Sequence, residues 1–259
     1  MPAELLRRLL AHPKTAGLQL DDPATTELRR EIIQSKPFLK AIYDEWYTQF
    51  VAELPQGDGA VLELGSGAGY CNRYIPNLIT SEIFVCSLVD VIADAQRLPF
   101  RDSSLRAVVF TNVLHHIPDV QRFFGEAARC LREGGKILMI EPWVSRWSKF
   151  VNTRIHHEPF RPDAPDWSFP SSGPLSGANG AIPWIVFVRD RHIFESEFPN
   201  LVVEGIRPFL PFRYLVSGGV AMRTLMPGFT HSFWLHFENM LEPYMESLAM
   251  FAFISIVKR

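Results

Sequence analysis

The segment Val61-Leu-Glu63-Leu-Gly65-Ser66-Gly67-Ala-Gly69 runs an apolar stretch into three alternating glycines, with an acid two positions before the first. Glycine lacks a Cβ, so it adopts positive φ and lets a ligand lie directly against the backbone. The GxGxG spacing differs from the GxGxxG of dinucleotide enzymes, which argues against nicotinamide. Taken alone, such a loop is equally a tight turn with no ligand. A second acid is expected about 20 residues on, at the next strand end, where a carboxylate can accept from both ribose hydroxyls. Glu82 stands there, in Leu78-Ile-Thr-Ser-Glu82, and Asp94-Ala95 closes a third apolar run, placed to accept from an adenine amino group. Each could be a solvated strand end, but the three in order point to an adenosine-bearing ligand. Further on, His115 and His116 follow a fourth apolar run. An imidazole titrates near neutrality and can take a proton from a hydroxyl. Alternation of neighbouring side chains lets only one of the pair face the ligand, and a helix cap or a backbone contact is the plainer role for either singly.

These motifs resemble those of class I S-adenosylmethionine-dependent methyltransferases, in the branch that includes quinone, sugar and small-molecule enzymes. The resemblance runs from about Val61 to Pro142. Its further marks are Leu98-Pro-Phe100 with Asp102, Thr111-Asn-Val-Leu-His-His-Ile-Pro118, and Ala127-Ala-Arg-Cys-Leu-Arg-Glu-Gly-Gly135. It implies S-adenosylmethionine as cofactor, with Gly65 and Gly67 under its methionine part and Glu63 nearby. Ser66 and Gly69 complete that loop. It further implies Glu82 on the ribose, Asp94 and Ala95 at the adenine, and Asn112 along the inner wall. In some sugar O-methyltransferases of this kind the histidine pair works with an acid after the fifth strand, which corresponds to Glu141. One departure stands out. Glu82 and Asp94 lie too close in sequence for the usual crossover helix between the second and third strands. Either that helix is lost, or Asp90 replaces Glu82 as the ribose acid.

The elements that must position these residues are legible from periodicity. Apolar runs at Val61–Leu64, Leu78–Thr80, Val89–Ile92, Ala107–Thr111 and Lys136–Ile140, separated by turn residues and helical segments, predict a parallel sheet with crossovers. The resemblance implies the strand order 3-2-1-4-5. A helix is expected to open after the glycine loop. Leu28, Ile32, Phe38, Leu39, Ile42, Trp46 and Phe50 have helical spacing, with Pro37 starting, kinking or separating two helices. The expected architecture is therefore α/β, a Rossmann-like sheet with a helical amino-terminal cap over 1–56 and one domain over 57–259. Within that domain the core spans 60–142, an irregular insertion after the fifth strand spans 143–184, and closing strands and a helix span 185–259. The insertion holds Trp143, Trp147, Trp167 and Trp184, groups that require burial or a ligand.

Two further clusters bear on the acceptor. His156-His-Glu158-Pro-Phe160 pairs histidines with an acid, but adjacent histidines on an extended chain diverge, and no metal is expected. With Ser171–Gly180 this segment reads either as a lid over the cofactor or as a rigid crosspiece. The aromatic stretch Trp234–Tyr244, with Arg207, Arg213 and Arg223, could wall a bulky or anionic acceptor, although helical aromatic stripes are more often core.

The 259 residues carry a formal net charge of -2, without the basic excess of a general nucleic-acid or anionic-membrane binder. No apolar run approaches a spanning helix and no signal-peptide core develops at the start, so no transmembrane segment is expected and the cytoplasm is the expected location. Cys71, Cys86 and Cys130 lack metal spacing and suit a reducing compartment. Nothing in the sequence sets an oligomeric state. Methyl transfer to the oxygen of a small or medium-sized hydroxylated acceptor is the function expected, since two histidines flank the site. The rivals are a C- or N-methyltransferase and a non-catalytic cofactor-binding partner subunit.

Overall fold

A computed structural model of the chain describes residues 11–13, 22–154, 158–171, 173 and 177–259. Asp22 caps the first helix, α1 (Pro23–Ser35), by accepting from the Ala24 amide at 2.9 Å. Lys36 breaks the run, and Pro37 opens α2 (Pro37–Glu53) at the first position, where its missing N–H costs nothing. Of the three outcomes allowed for Pro37, the separation of two helices is the one realised. Phe38, Leu39, Ile42, Trp46 and Phe50 form one fully buried stripe on α2.

The strands are β1 (Ala60–Glu63), β2 (Leu78–Glu82), β3 (Val91–Ile92), β4 (Leu105–Thr111), β5 (Leu131–Pro142), β6 (Leu201–Phe209) and β7 (Phe251–Lys258). They make one sheet in the order β3-β2-β1-β4-β5-β7-β6. The first five are mutually parallel, and β7 runs antiparallel between β5 and β6. Alternation sorts side chains to the two faces. Leu62, Val108, Phe110, Ile137 and Met139 pack toward α3 (Val120–Cys130), whereas Val61, Ala107, Val109, Leu138 and Ile140 pack toward α2.

Two expectations are corrected, and the loss of the crossover helix, allowed as one of two alternatives, is found. The glycine loop leads only into a single 3₁₀ turn, Cys71–Arg73, because Pro76 ends the segment before a helix can propagate. No helix joins β2 to β3; instead Asp90 pins the short connection, its carboxylate accepting from the Thr80 amide at 2.9 Å and hydroxyl at 2.7 Å. The 143–184 insertion is not irregular throughout, since it contains α4 (Arg146–Arg154) and, at its end, the short α5 (Ile182–Trp184). A π-turn, Ile185–Arg189, then leads into α6 (Arg191–Glu197). Beyond β6 come α7 (Arg213–Ser217), α8 (His231–Met240) and α9 (Met245–Leu248). No helix among the described residues is long and apolar enough to cross a membrane.

Candidate active site

The carboxyl ends of the parallel strands open onto a cavity of about 790 Å³. Its floor is the glycine loop. Gly65 has φ +60° and lies against Val113, whose Cγ2 would be 2.6 Å from any added Cβ. A Cβ on Gly67 would stand 2.2 Å from Thr26 Cγ2 and 2.6 Å from Glu82 Oε1, so α1 and the end of β2 close on the loop only because it has none. The Ser66 hydroxyl is spent on structure, donating to the Glu63 carbonyl and accepting from the Ser81 amide.

Three acids ring this end. Glu63 is 3% exposed, and its Oε2 has no hydrogen-bond partner among the described residues. Burial, reinforced by the neighbouring Glu82 charge, pushes its carboxyl up to about 8. Glu82 accepts from the Gly67 and Ile83 amides, both at 3.1 Å, and burial holds its carboxyl above the usual range. It lines the cavity, and so do Asp94, Ala95 and Asn112. Asp90 is turned outward onto Thr80 and is absent from the lining, so of the two acids only Glu82 is positioned to meet a ligand. A buried orphan carboxylate oxygen facing a cradle without a Cβ fits the cationic methionine end of S-adenosylmethionine.

Beside the loop, beyond Val113, lies a polar corner. β4 ends in a 3₁₀ turn, Leu114–His116, which brings the two imidazole centroids to 4.3 Å and sets both rings into the cavity wall. The expectation that only one could face inward fails because a 3₁₀ turn, unlike a strand, does not alternate its side chains. His115 is 2% exposed and its Nδ1 lies 2.6 Å from Oε2 of the fully buried Glu141. Oε1 of Glu141 accepts from the Val113 and Leu114 amides at 2.6 and 2.9 Å. Burial opposes charge on His115, but the carboxylates of Glu141 and Glu158 outweigh it and raise the imidazole to about 9. His116 is driven the other way, to about 4, by burial and by the charge on His115. Its Nδ1 donates to the Gly177 carbonyl at 3.0 Å.

Several lining residues carried no signal in the sequence. Thr26 and Arg29, three apart on one face of α1, reach the cofactor end. Tyr43, Tyr214 and Phe251 wall the remainder. Glu158, by contrast, belongs to the histidine–acid cluster noted in the sequence and comes from the insertion; its neighbours His156 and His157 lie outside the described residues, as does part of the Ser171–Gly180 segment.

Other expected contributors lie elsewhere. Arg213 is buried between Glu238, at 2.5 Å, and Glu45, at 2.8 Å. Arg207 stacks over Phe253, and Arg223 reaches the Ala11 carbonyl. None of the three lines the cavity, nor does any residue of Trp234–Tyr244. Of its apolar residues only the first, Trp234, packs against the core, while Met240 and Tyr244 are 77% and 62% exposed. Leu98, Phe100 and Asp102 serve packing, their carbonyls and carboxylate gathered by Arg129 on α3.

Residues 62–139 match the protein family described as Methyltransferase domain. Geranyl diphosphate C-methyltransferase from Streptomyces coelicolor A3(2), solved with Mg2+, geranyl diphosphate and S-adenosyl-L-homocysteine, is similar at a TM-score of 0.52 and 13% identity over 96% of this chain and 89% of that one. A geranyl diphosphate methyltransferase solved with SAM gives 0.51 and 12% over 96% of each. At such identity these likenesses establish the fold. The sheet order carries the Rossmann-like methyltransferase fold of these structures, and residues 62–139 within it match a methyltransferase domain.

Proposed function

We propose that the chain transfers the methyl group of S-adenosylmethionine to a hydroxyl oxygen of a small or medium-sized acceptor bound in the same cavity, and that it works in the cytoplasm. The observation that carries this reading is the buried His115–Glu141 pair, joined by His116, in the wall of the cavity that the glycine loop also lines. Glu63, Gly65, Gly67 and Gly69 would hold the methionine part, with Ser66 keeping the loop against β2. Glu82 would accept from the ribose, Asp94 and Ala95 would meet the adenine, and Asn112 would border the inner wall. The cofactor supplies an electrophilic methyl on a sulfonium, so the chain's task is to align an acceptor oxygen in line with it and keep water out. The apolar walls of Tyr43, Tyr214 and Phe251 serve the second purpose.

The hydroxyl proton goes to the histidine unit, at neutral pH to His116, because the carboxylates keep His115 protonated. Glu141, anchored by two amides, fixes the His115 ring with Nδ1 protonated and turns Nε2 toward the cavity. His115 and His116 lie close enough to titrate as one unit.

The test is transfer from a methyl-labelled cofactor across a panel of alcohols and phenols, with the position of the label read by NMR. A methyl ether is expected. His115→Ala and His116→Ala should lower turnover by roughly 10²- to 10⁴-fold while cofactor affinity stays nearly constant. A product methylated on carbon or nitrogen, or full turnover in both variants, overturns the reading.

A further inference from the structure

We propose that His115, His116 and Glu158 form a site for one divalent transition-metal ion of the zinc class, at the acceptor end of the cavity. Hydrogen-bond roles fix where the lone pairs point. The Nδ1 partners, the Glu141 carboxylate and the Gly177 carbonyl, can only accept, so in each ring Nδ1 carries a hydrogen and Nε2 is the atom left to an ion, which on His115 would displace the proton that the carboxylates stabilise. Both Nε2 atoms face one carboxylate. His115 Nε2 lies 3.7 Å from Glu158 Oε2, and His116 Nε2 lies 3.9 Å from Glu158 Oε1.

Those gaps are too long for hydrogen bonds. They match the spacing of ligand atoms around a single ion held at about 2.0–2.2 Å from each, which stand roughly 3–4 Å apart. One ligand atom from each of the three residues lies within 4.8 Å of the others. Both histidines are braced from behind, His115 by a carboxylate that two backbone amides hold in turn, His116 by a backbone carbonyl. That is the support that orients metal-binding imidazoles. Two imidazoles and one carboxylate suit Zn2+, Co2+ or Ni2+, whereas Mg2+ and Ca2+ prefer oxygen. The cavity leaves a further coordination position open, as three-ligand zinc sites do. Divergence of neighbouring histidines, which argued against a metal at His156-His157, does not apply to a pair on a 3₁₀ turn. An ion and a hydroxyl proton would draw on the same lone pairs, so a loaded site and an imidazole base exclude one another.

The experiment titrates Co2+ into the full chain after chelation, following visible absorption, and then displaces it with Zn2+. One equivalent is expected, with a spectrum of low coordination number that Zn2+ erases. Glu158→Gln and His116→Gln should each weaken Co2+ binding by at least 10-fold, and Glu141→Gln, one shell further out, by about 10- to 100-fold. Glu158 is partly exposed, so its variant keeps the test valid even if His116→Gln does not fold, which circular dichroism would reveal. Absence of stoichiometric binding, or binding unchanged in Glu158→Gln, overturns the site. No acceptor is used, so failure here leaves the methyl-transfer reading standing, and the reverse also holds.

Discussion

Nδ1 of His115 sits 2.6 Å from Oε2 of Glu141 while Oε1 of the same carboxylate takes the Val113 and Leu114 amides. Both oxygens of that side chain have a defined task, so Glu141→Gln is a sharp probe. The amide oxygen would keep the two backbone donors, and its NH₂ would then face Nδ1. Nδ1 must then accept, and the ring hydrogen moves to Nε2, on the cavity side. We expect nitrogen-15 NMR of His115 to show the Nε2–H tautomer and unfolding to lose about 1–3 kcal/mol. An unchanged tautomer would remove Glu141 from the role of orienting His115.

Of the two acids considered for the ribose, Glu82 faces the cavity and Asp90 holds Thr80. Calorimetry with S-adenosylhomocysteine should show Glu82→Ala losing about 1–3 kcal/mol of affinity, through lost hydrogen bonds to the ligand and to the Gly67 amide. Asp90→Ala should leave affinity unchanged and lower thermal stability by freeing the Thr80 connection. The opposite ranking would return the ribose to Asp90.

How much of this was legible depended on whether a residue's role is local. Glu63, Gly65, Gly67 and Glu82 announce themselves because a strand followed by a tight turn is a short-range pattern. The missing crossover helix was foreshadowed by the close spacing of Glu82 and Asp94, whereas the run expected over Val89–Ile92 pairs only at Val91 and Ile92. Thr26 was silent. It is brought to the cavity by a helix that folds across it, and nothing in its own neighbourhood marks the contact. Periodicity misled at α8, where a stripe through Phe233, Phe237 and Met240 is real but faces outward. A stripe records that one side differs from the other, not that anything covers it. Arg213 looked like a free cation for an acceptor because its partners, Glu45 and Glu238, are distant in sequence.

The tight approach of Thr26 to Gly67 ties α1 to the cofactor loop. Gly67→Ala should push Thr26 and Glu82 away, cost about 1–3 kcal/mol of stability and abolish detectable cofactor binding. Thr26→Ala removes the nearer obstacle, so the double variant should recover part of the lost stability. A coupling of about 0.5 kcal/mol or more in the thermodynamic cycle is the expected signature. Strict additivity would mean that the loop moves rather than α1.

Glu63 links cofactor binding to pH. Its carboxyl ordinarily titrates at 4.5 and is raised to about 8 in the folded chain, chiefly by burial. Between those values the folded state holds a proton that the unfolded state has released, so stability of the ligand-free protein should decline as pH rises through this window. The cationic methionine end of the cofactor favours the ionised carboxylate instead. Binding should therefore expel a proton, and affinity should climb as pH rises toward about 8 and level off above it. Calorimetry at pH 7 in two buffers of different ionisation enthalpy reads that proton directly, with release approaching about one per site. Glu63→Gln cannot ionise. In that variant we expect no proton release and no rise of affinity across the window, together with weaker binding at pH 8. Release undiminished in Glu63→Gln would assign the proton to another group and leave the orphan oxygen of Glu63 without a role in holding the cofactor.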